Sequence, residues 1–287
     1  MRQVLELPVA TMNYIDAHVH VWTDNLQHYP LAAGFTVENM RPRTFYPEDI
    51  LRHASLSGVD RIVLIQMSFY RFDNSYMLDV IAGAPQTFRG VAIVDWNGPA
   101  PDTRMRALAR RGVRGFRIRA LELPPDRWLE GDGVARMFRY AADTGLQICP
   151  LLNPDHLPAL SRMCRKFPRT PVVIDHLARL GLDGTFPESQ VKSLCALAQH
   201  PQVRVKVSAF YALGAKRPPH RELIPVVRRV FEAFGPQRLM WASDCPFQVQ
   251  SETYEDGIAL MRDHLDFLSA DDKSWLLRRT AESVFFD

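Results

Sequence analysis

Several absences narrow the reading first. Four cysteines occur in 287 residues, Cys149, Cys164, Cys195 and Cys245, and none forms a CxxC pair. Isolated thiols of this kind read as reduced, in a cytoplasmic protein with no disulfide framework. No apolar stretch is long enough to span a bilayer. The opening residues Met1-Arg2-Gln3-Val4-Leu5-Glu6 lack the apolar core of a signal peptide. Charge of neither sign dominates: 35 Lys and Arg stand against 32 Asp and Glu, a net of +3. The cations are mostly arginine and form no basic run, which leaves neither a nucleic acid nor a membrane surface as the expected partner. There is no linker, internal repeat or low-complexity segment, so one domain over residues 1–287 is expected. A small molecule remains as the partner, and a homo-oligomer is left open.

What is present is a hydrophobic content of 47%, enough for a large core. After a short lead-in of 14 residues comes the run Ile15 to Trp22, in which Asp16, His18, His20 and Trp22 alternate with Ile15, Ala17, Val19 and Val21. A period of two predicts a strand. Seven further strand-like runs follow: Arg61 to Phe69, Phe88 to Asp95, Val113 to Arg119, Leu146 to Leu152, Val172 to Ala178, Val203 to Phe210 and Leu239 to Asp244. Turn residues such as Gly58, Gly112, Gly145, Pro171, Pro201 and Gly235-Pro236 precede them. Helical spacing separates them, as in Met137, Tyr140 and Ala141, or Val226, Val227, Val230, Phe231 and Phe234. Eight alternations of strand and helix predict an α/β fold, a (β/α)8 TIM barrel. A doubly wound sheet is less suited, because no glycine-rich phosphate loop follows the first strand. The tail, Ala270 to Phe285, reads as closing helices. The long irregular segment Thr23 to Thr44 reads as a functional loop.

In such a barrel the active site lies at the C-terminal strand ends. His18 and His20, at i and i+2, can reach one ion or one substrate oxygen; a hydrogen-bonded core pair is the plainer possibility. Gln66, Ser68 and Tyr70 share a parity at the end of the second run. Arg117 and Arg119 share a face of the fourth, and two guanidiniums suit a carboxylate or a developing oxyanion. On the sixth run His176 shares parity with Val172 and Ile174, so Asp175 is expected to point the other way, and Arg179 lies just beyond. Lys206 and Ser208 share a face of the seventh, where a buried Lys needs a partner or a substrate anion. Asp244, at the end of the eighth, should meet His18 and His20 when the barrel closes.

These residues and the stretches around them carry a resemblance. Asp16-x-His18-x-His20, His176 and Asp244 resemble the amidohydrolase superfamily. Val63-Leu64-Ile65-Gln66-Met67-Ser68, Gly112-Val113-Arg114-Gly115-Phe116-Arg117, Val173-Ile174-Asp175-His176, Lys206-Val207-Ser208 and Met240-Trp241-Ala242-Ser243-Asp244 resemble segments of its amidohydrolase 2 family, in that family's order. The likeness covers nearly the whole chain and points to the lactone hydrolases of that family, those acting on 2-pyrone-4,6-dicarboxylate and on sugar lactones. The chain departs from the pattern at Cys245, where a Trp is usual, and at Ala178, Ala209 and Ala242, where a Gly is usual. Metal-dependent members carry a ligand on strand four or five; Leu146 to Leu152 has none, and only Asn153 and His156 lie near.

The resemblance implies a hydrolase that opens a lactone by water attack, with Asp244 as general base. His18, His20 and His176 would polarise the carbonyl and hold the oxyanion. Arg117, Ser68, Tyr70, Lys206 and Arg179 would orient the substrate's carboxylate or hydroxyls. His18, His20 and Asp244 can hold one divalent metal, zinc by ligand type, with His176 as a fourth ligand; the lactonase relatives are described as working without one, and both states stay open. Ser243 and Cys245 flank Asp244 but should point away from the mouth. Two other readings are a metal-dependent, non-oxidative decarboxylase of an aromatic or muconate-type acid, and a catalytically inactive metabolite-binding barrel.

Overall fold

The computed structural model describes residues 13–119, 124, 125 and 127–287; most of the expected lead-in lies outside them. Eight strands are present: β1 (Tyr14–Val19), β2 (Val59–Ile65), β3 (Phe88–Ala92), β4 (Val113–Arg119), β5 (Gln147–Leu151), β6 (Val172–Ile174), β7 (Val203–Ser208) and β8 (Leu239–Ala242). They form one parallel sheet in the order β1 to β8. The sheet closes where Val19 bridges Cys245. His20 N donates to Cys245 O at 2.7 Å and Asp244 N to His18 O at 2.9 Å. This is the (β/α)8 barrel expected.

Each strand feeds a helix: α1 (Pro47–Leu56), α2 (Ser75–Gly83), α3 (Pro101–Ala109), α4 (Asp132–Thr144), α5 (Leu157–Lys166), α6 (Glu188–Ala196), α7 (Ile224–Phe234) and α8 (Tyr254–Asp263). Local chemistry sets their ends. Pro47 opens α1 with Glu48 and Asp49 in its first turn, where acids face the positive end of the helix dipole. Thr253 and Asp256 bond reciprocally to each other's backbone N–H at the start of α8. Gly145 ends α4 at φ 75°, a conformation that favours glycine. The closing segment is α9 (Ala270–Ser274), a π-helical turn over Trp275–Arg279, and α10 (Thr280–Phe285).

The barrel has two apolar layers. Ile15, Ala17, Val63, Ile65, Val91, Cys149, Val173, Met240 and Ala242 fill the lumen, and Ala281, Val284 and Phe285 of α10 close its floor. The opposite strand faces, such as Phe116, Ile118, Val203, Val205 and Val207, join the larger layer beneath the helices.

The strands stop sooner than the sequence suggests. β2 ends at Ile65 and Ser68–Tyr70 is a 3-10 turn; β6 ends at Ile174 and β8 at Ala242. Beyond the last two the backbone turns left-handed. His176, Leu177, Ala178 and Arg179 have φ of 53°, 51°, 55° and 60°, and Asp244 has 68°. Ala209, just past β7, has φ 59°. Non-glycine residues in this region store strain, which collects at functional sites.

Candidate active site

β1 does not alternate throughout. Its pairing with β2 slips between Asp16 and Val19. Ile15 and Ala17 face the lumen before the slip, and His18 turns into the mouth after it. Asp16 therefore leaves the face it was expected to share with His18 and His20. Its Oδ1 accepts from His18 N at 3.1 Å and from Ser243 N at 3.0 Å, and its Oδ2 from Tyr254 Oη at 2.8 Å. It ties β1, β8 and α8 together. Complete burial pushes its carboxyl up to about 6, against the pull of Ser243, His18 and Tyr254.

Four side chains converge at the mouth. Asp244 Oδ1 lies 3.4 Å from His18 Nε2 and 3.3 Å from His20 Nε2. The two Nε2 atoms are 3.3 Å apart. Asp244 Oδ2 is 3.8 Å from His176 Nε2 and accepts from Tyr211 Oη at 2.7 Å. His20 Nδ1 donates to Ile65 O at 2.8 Å, which leaves its Nε2 as an acceptor facing the carboxylate. His18 Nε2 is also an acceptor, since the guanidinium of Arg117, a donor only, lies 2.9 Å from it. His176 Nδ1 bonds Ser208 Oγ at 2.9 Å. A corner with so many lone pairs suits a proton or a cation.

Cations already approach it. Arg117 Nη2 donates to His18 Nε2 at 2.9 Å and to Asp175 Oδ2 at 2.9 Å. Lys206 Nζ lies 3.1 Å from Asp175 Oδ1 and 3.2 Å from His18 Nδ1. Asp175 is thus the hub of a buried ionic cluster and points into the barrel. The expected facing took Val172 and Ile174 for the inward side, but both pack beneath the helices; Asp175 shares the parity of Val173, which faces the lumen, and it is His176 that the left-handed turn brings inward. Burial alone would raise the Asp175 carboxyl, but Lys206, Arg117 and His18 outweigh it and hold it well below the carboxylate range. Burial, with Lys206 and His176 next, holds His18 well below the usual imidazole value. Burial also lowers His176. For Asp244, burial would raise the carboxyl, but His176, His20 and His18 outweigh it, so it is ionised at neutral pH.

Above Asp244 opens a cavity of about 330 Å³. His20, His176, Arg117, Arg119, Arg179, Ser68 and Gln66 line it, with Tyr211. Two expected substrate contacts lie elsewhere. Tyr70 is buried, its hydroxyl 3.4 Å from Thr23 N and donating to Thr23 O at 3.3 Å. Lys206 is fully buried beneath His18. Asn153 accepts from Arg179 Nη1 at 2.7 Å and so aims that guanidinium. His156 packs edge-on to Trp128. Cys245 is buried, and burial raises its thiol far above its ordinary value. Among the described residues the group able to hold a metal ion is His18, His176 and Asp244; His20 reaches the same carboxylate oxygen. The sequence reading missed Tyr211. It sits on the 3-10 turn Phe210–Ala212 after β7, and only its place just beyond a strand end could have marked it.

The fold sets this polar mouth at the C-terminal strand ends, where barrel enzymes carry their chemistry. The model of the family described as Amidohydrolase matches residues 15–286. The chain is 31% identical over 235 residues to an L-fucono-1,5-lactonase of Burkholderia ambifaria, covering 81% of this chain and 80% of that one. It is 26% identical over 259 residues to a 2-pyrone-4,6-dicarboxylate hydrolase of Comamonas testosteroni, covering 85% and 80%. A zinc-bound amidohydrolase structure from Burkholderia multivorans superposes with a TM-score of 0.80 at 20% identity, over 95% of this chain and 99% of that one. The chain belongs to the amidohydrolase family and is a hydrolase. No described helix is long and apolar enough to cross a membrane.

Proposed function

We propose that this hydrolase opens a lactone ring by water attack, with Asp244 as the general base. One observation carries the reading. An ionised carboxylate stands at the base of a cavity, within 3.4 Å of two imidazole nitrogens, under a rim of three arginines. The names of the two relatives above, a sugar lactonase and a pyrone hydrolase, support the substrate class. Arg119 and Arg179 hold the substrate's carboxylate. The ring carbonyl lies toward Arg117, which supplies positive charge as the oxyanion forms; the Nε2 atoms of His18 and His20, being acceptors, face the attacking water instead of polarising the carbonyl as expected. Asp244 takes a proton from the attacking water. The C–O ring bond then breaks, and the proton returns to the leaving oxygen, giving a hydroxy acid. Tyr211 stays protonated, because burial and then Asp244 raise its phenol, and it fixes the carboxylate's orientation. Ser68 bonds a substrate hydroxyl. Tyr70 and Lys206 support the mouth from behind.

The donors also fit one divalent ion. His18 Nε2, His20 Nε2 and Asp244 Oδ1 are separated by 3.3, 3.3 and 3.4 Å, close to the edge of a tetrahedral zinc site with ligands at about 2.0–2.2 Å. The hydrogen bond from His20 Nδ1 to Ile65 O presets the ring for a ligand at Nε2. Held there, zinc would polarise the carbonyl or acidify water; Arg117 on His18 Nε2 already places a positive charge at that point. The test is a panel of sugar lactones and pyrone or muconolactone acids, read by acid release with a pH indicator beside metal analysis of the protein. Turnover of at least one lactone supports the reading; none on the whole panel rejects it.

A further inference from the structure

A second cavity, of about 290 Å³, opens beside the first and shares Ser68, Ile93, Arg117 and Arg119 with it. Its own walls differ in kind. Phe35 comes from the loop after β1, Phe72 from the loop after β2 and Trp96 from the loop after β3. Phe72 meets Trp96 edge to face, with ring centres 6.4 Å apart. The Arg71 guanidinium lies 5.6 Å from the centre of the Phe35 ring. Phe72 is also 48% exposed, although most large apolar side chains of the described residues are buried. An exposed ring at a cavity rim wants an apolar partner. Three rings from three loops give edges and faces for a flat group. Arg117 and Arg119 of β4 line both cavities, so a substrate whose carboxylate is held by Arg119 and Arg179 can extend a substituent past them into this annex.

We infer that the annex is a distal subsite for a planar aromatic arm, and that the preferred substrate is an aryl-substituted lactone carboxylate. The inference deepens the lactone-hydrolase reading and rests on it for the reacting half of the molecule. A neutral polyhydroxylated lactone would leave the three rings without an apolar partner.

The test compares a five-membered lactone carboxylate with and without a phenyl substituent. Wild type should favour the phenyl-bearing compound in kcat/KM by about tenfold, the size of effect one ring-sized contact gives. In Phe72→Ala and Trp96→Leu, checked for folding by circular dichroism, that ratio should fall toward one. An absent preference, or one that survives both substitutions, overturns the subsite while leaving the hydrolase reading standing. Binding of 3-phenylpropionate against propionate, followed by tryptophan fluorescence, separates the two failures. If neither lactone turns over but 3-phenylpropionate binds more tightly to wild type and not to Phe72→Ala, the subsite stands and the lactone reading falls. Equal binding together with no turnover overturns both.

Discussion

The floor and the mouth of the barrel are built from the same eight strands by different rules. In the floor, alternation holds: Val63, Ile65, Val91 and Val173 point inward and share one buried apolar cluster with Phe285. At the mouth the rule fails twice. β1 slips after Asp16, and a four-residue left-handed turn follows β6. Each failure turns polar side chains inward, where alternation would place only every second residue. His18 follows Ala17 inward, and His176 follows Asp175. The floor is held by apolar contact that needs no partner. The mouth is held by buried charges, each of which needs one.

That contrast is testable, and the largest effect should come from its ionic hub. Asp175→Ala leaves Lys206 fully buried without its anion. It should cost about 3–5 kcal/mol, as removing one member of a buried pair does, measured by urea unfolding. A loss below about 1 kcal/mol would mean that the cluster is no stronger than a surface pair. Next is the carboxylate at the seam. Burial raises Asp16 from 3.8 to about 6, so the folded state holds its proton more tightly. Its contribution is complete below about pH 4 and is lost as pH rises through about 6. Asp175 and Asp244, held low, contribute in the opposite sense, above the ordinary carboxylate range, and lose it as pH falls. Asp16→Asn should therefore gain stability relative to wild type between pH 4 and 7, by about 2–3 kcal/mol; a pH-independent difference would contradict the assignment. Tyr211→Phe removes the hydroxyl on Asp244 Oδ2. It should lower kcat about tenfold and cost about 1.5–3 kcal/mol in unfolding free energy, the worth of one hydrogen bond to a charged group. Unchanged kcat would take Tyr211 out of the site. The smallest effect belongs to backbone strain. Ala209 has φ 59° beside the cavity. Ala209→Gly relieves about 1–2 kcal/mol of left-handed strain against about 0.5–1 kcal/mol of chain entropy. Stability should rise by up to about 1.5 kcal/mol, and a fall of about 0.5–1 kcal/mol would show that the strain is absent.

The same contrast sets what could be read from the sequence. The eight strands, their turn residues and the helical faces of α4 and α7 were legible, because apolar periodicity writes them directly. The meeting of His18 and Asp244 was legible too, since barrel closure forces the ends of β1 and β8 together. Asp175 was not. Val172, Val173 and Ile174 are all apolar, so nothing marked Val173 and Asp175 as the inward side, and the left-handed turn that brings His176 in beside Asp175 holds no glycine to announce it. The slip in β1 left no mark either, and Asp16 was grouped with the histidines it only supports. Lys206 was seen to need a partner, but the choice between a substrate and Asp175 depends on packing. Tyr211 lies in a turn, where periodicity carries no information. Ala178 and Ala209 are left-handed here, so this chain holds with alanine a geometry that favours glycine.

The account depends most on Asp244. Its carboxylate is bracketed by His18, His20, His176 and Tyr211, while neighbouring Cys245 is buried with its thiol protonated. The direct measurement is kcat of Asp244→Asn and Cys245→Ser on a lactone that wild type hydrolyses, with folding checked by thermal unfolding. Asp244→Asn should keep the fold and lose about 10²–10⁴-fold in kcat, the usual worth of general acid–base catalysis, and Cys245→Ser should stay within a few-fold of wild type. Near-normal turnover in Asp244→Asn, or a collapse in Cys245→Ser alone, would contradict it.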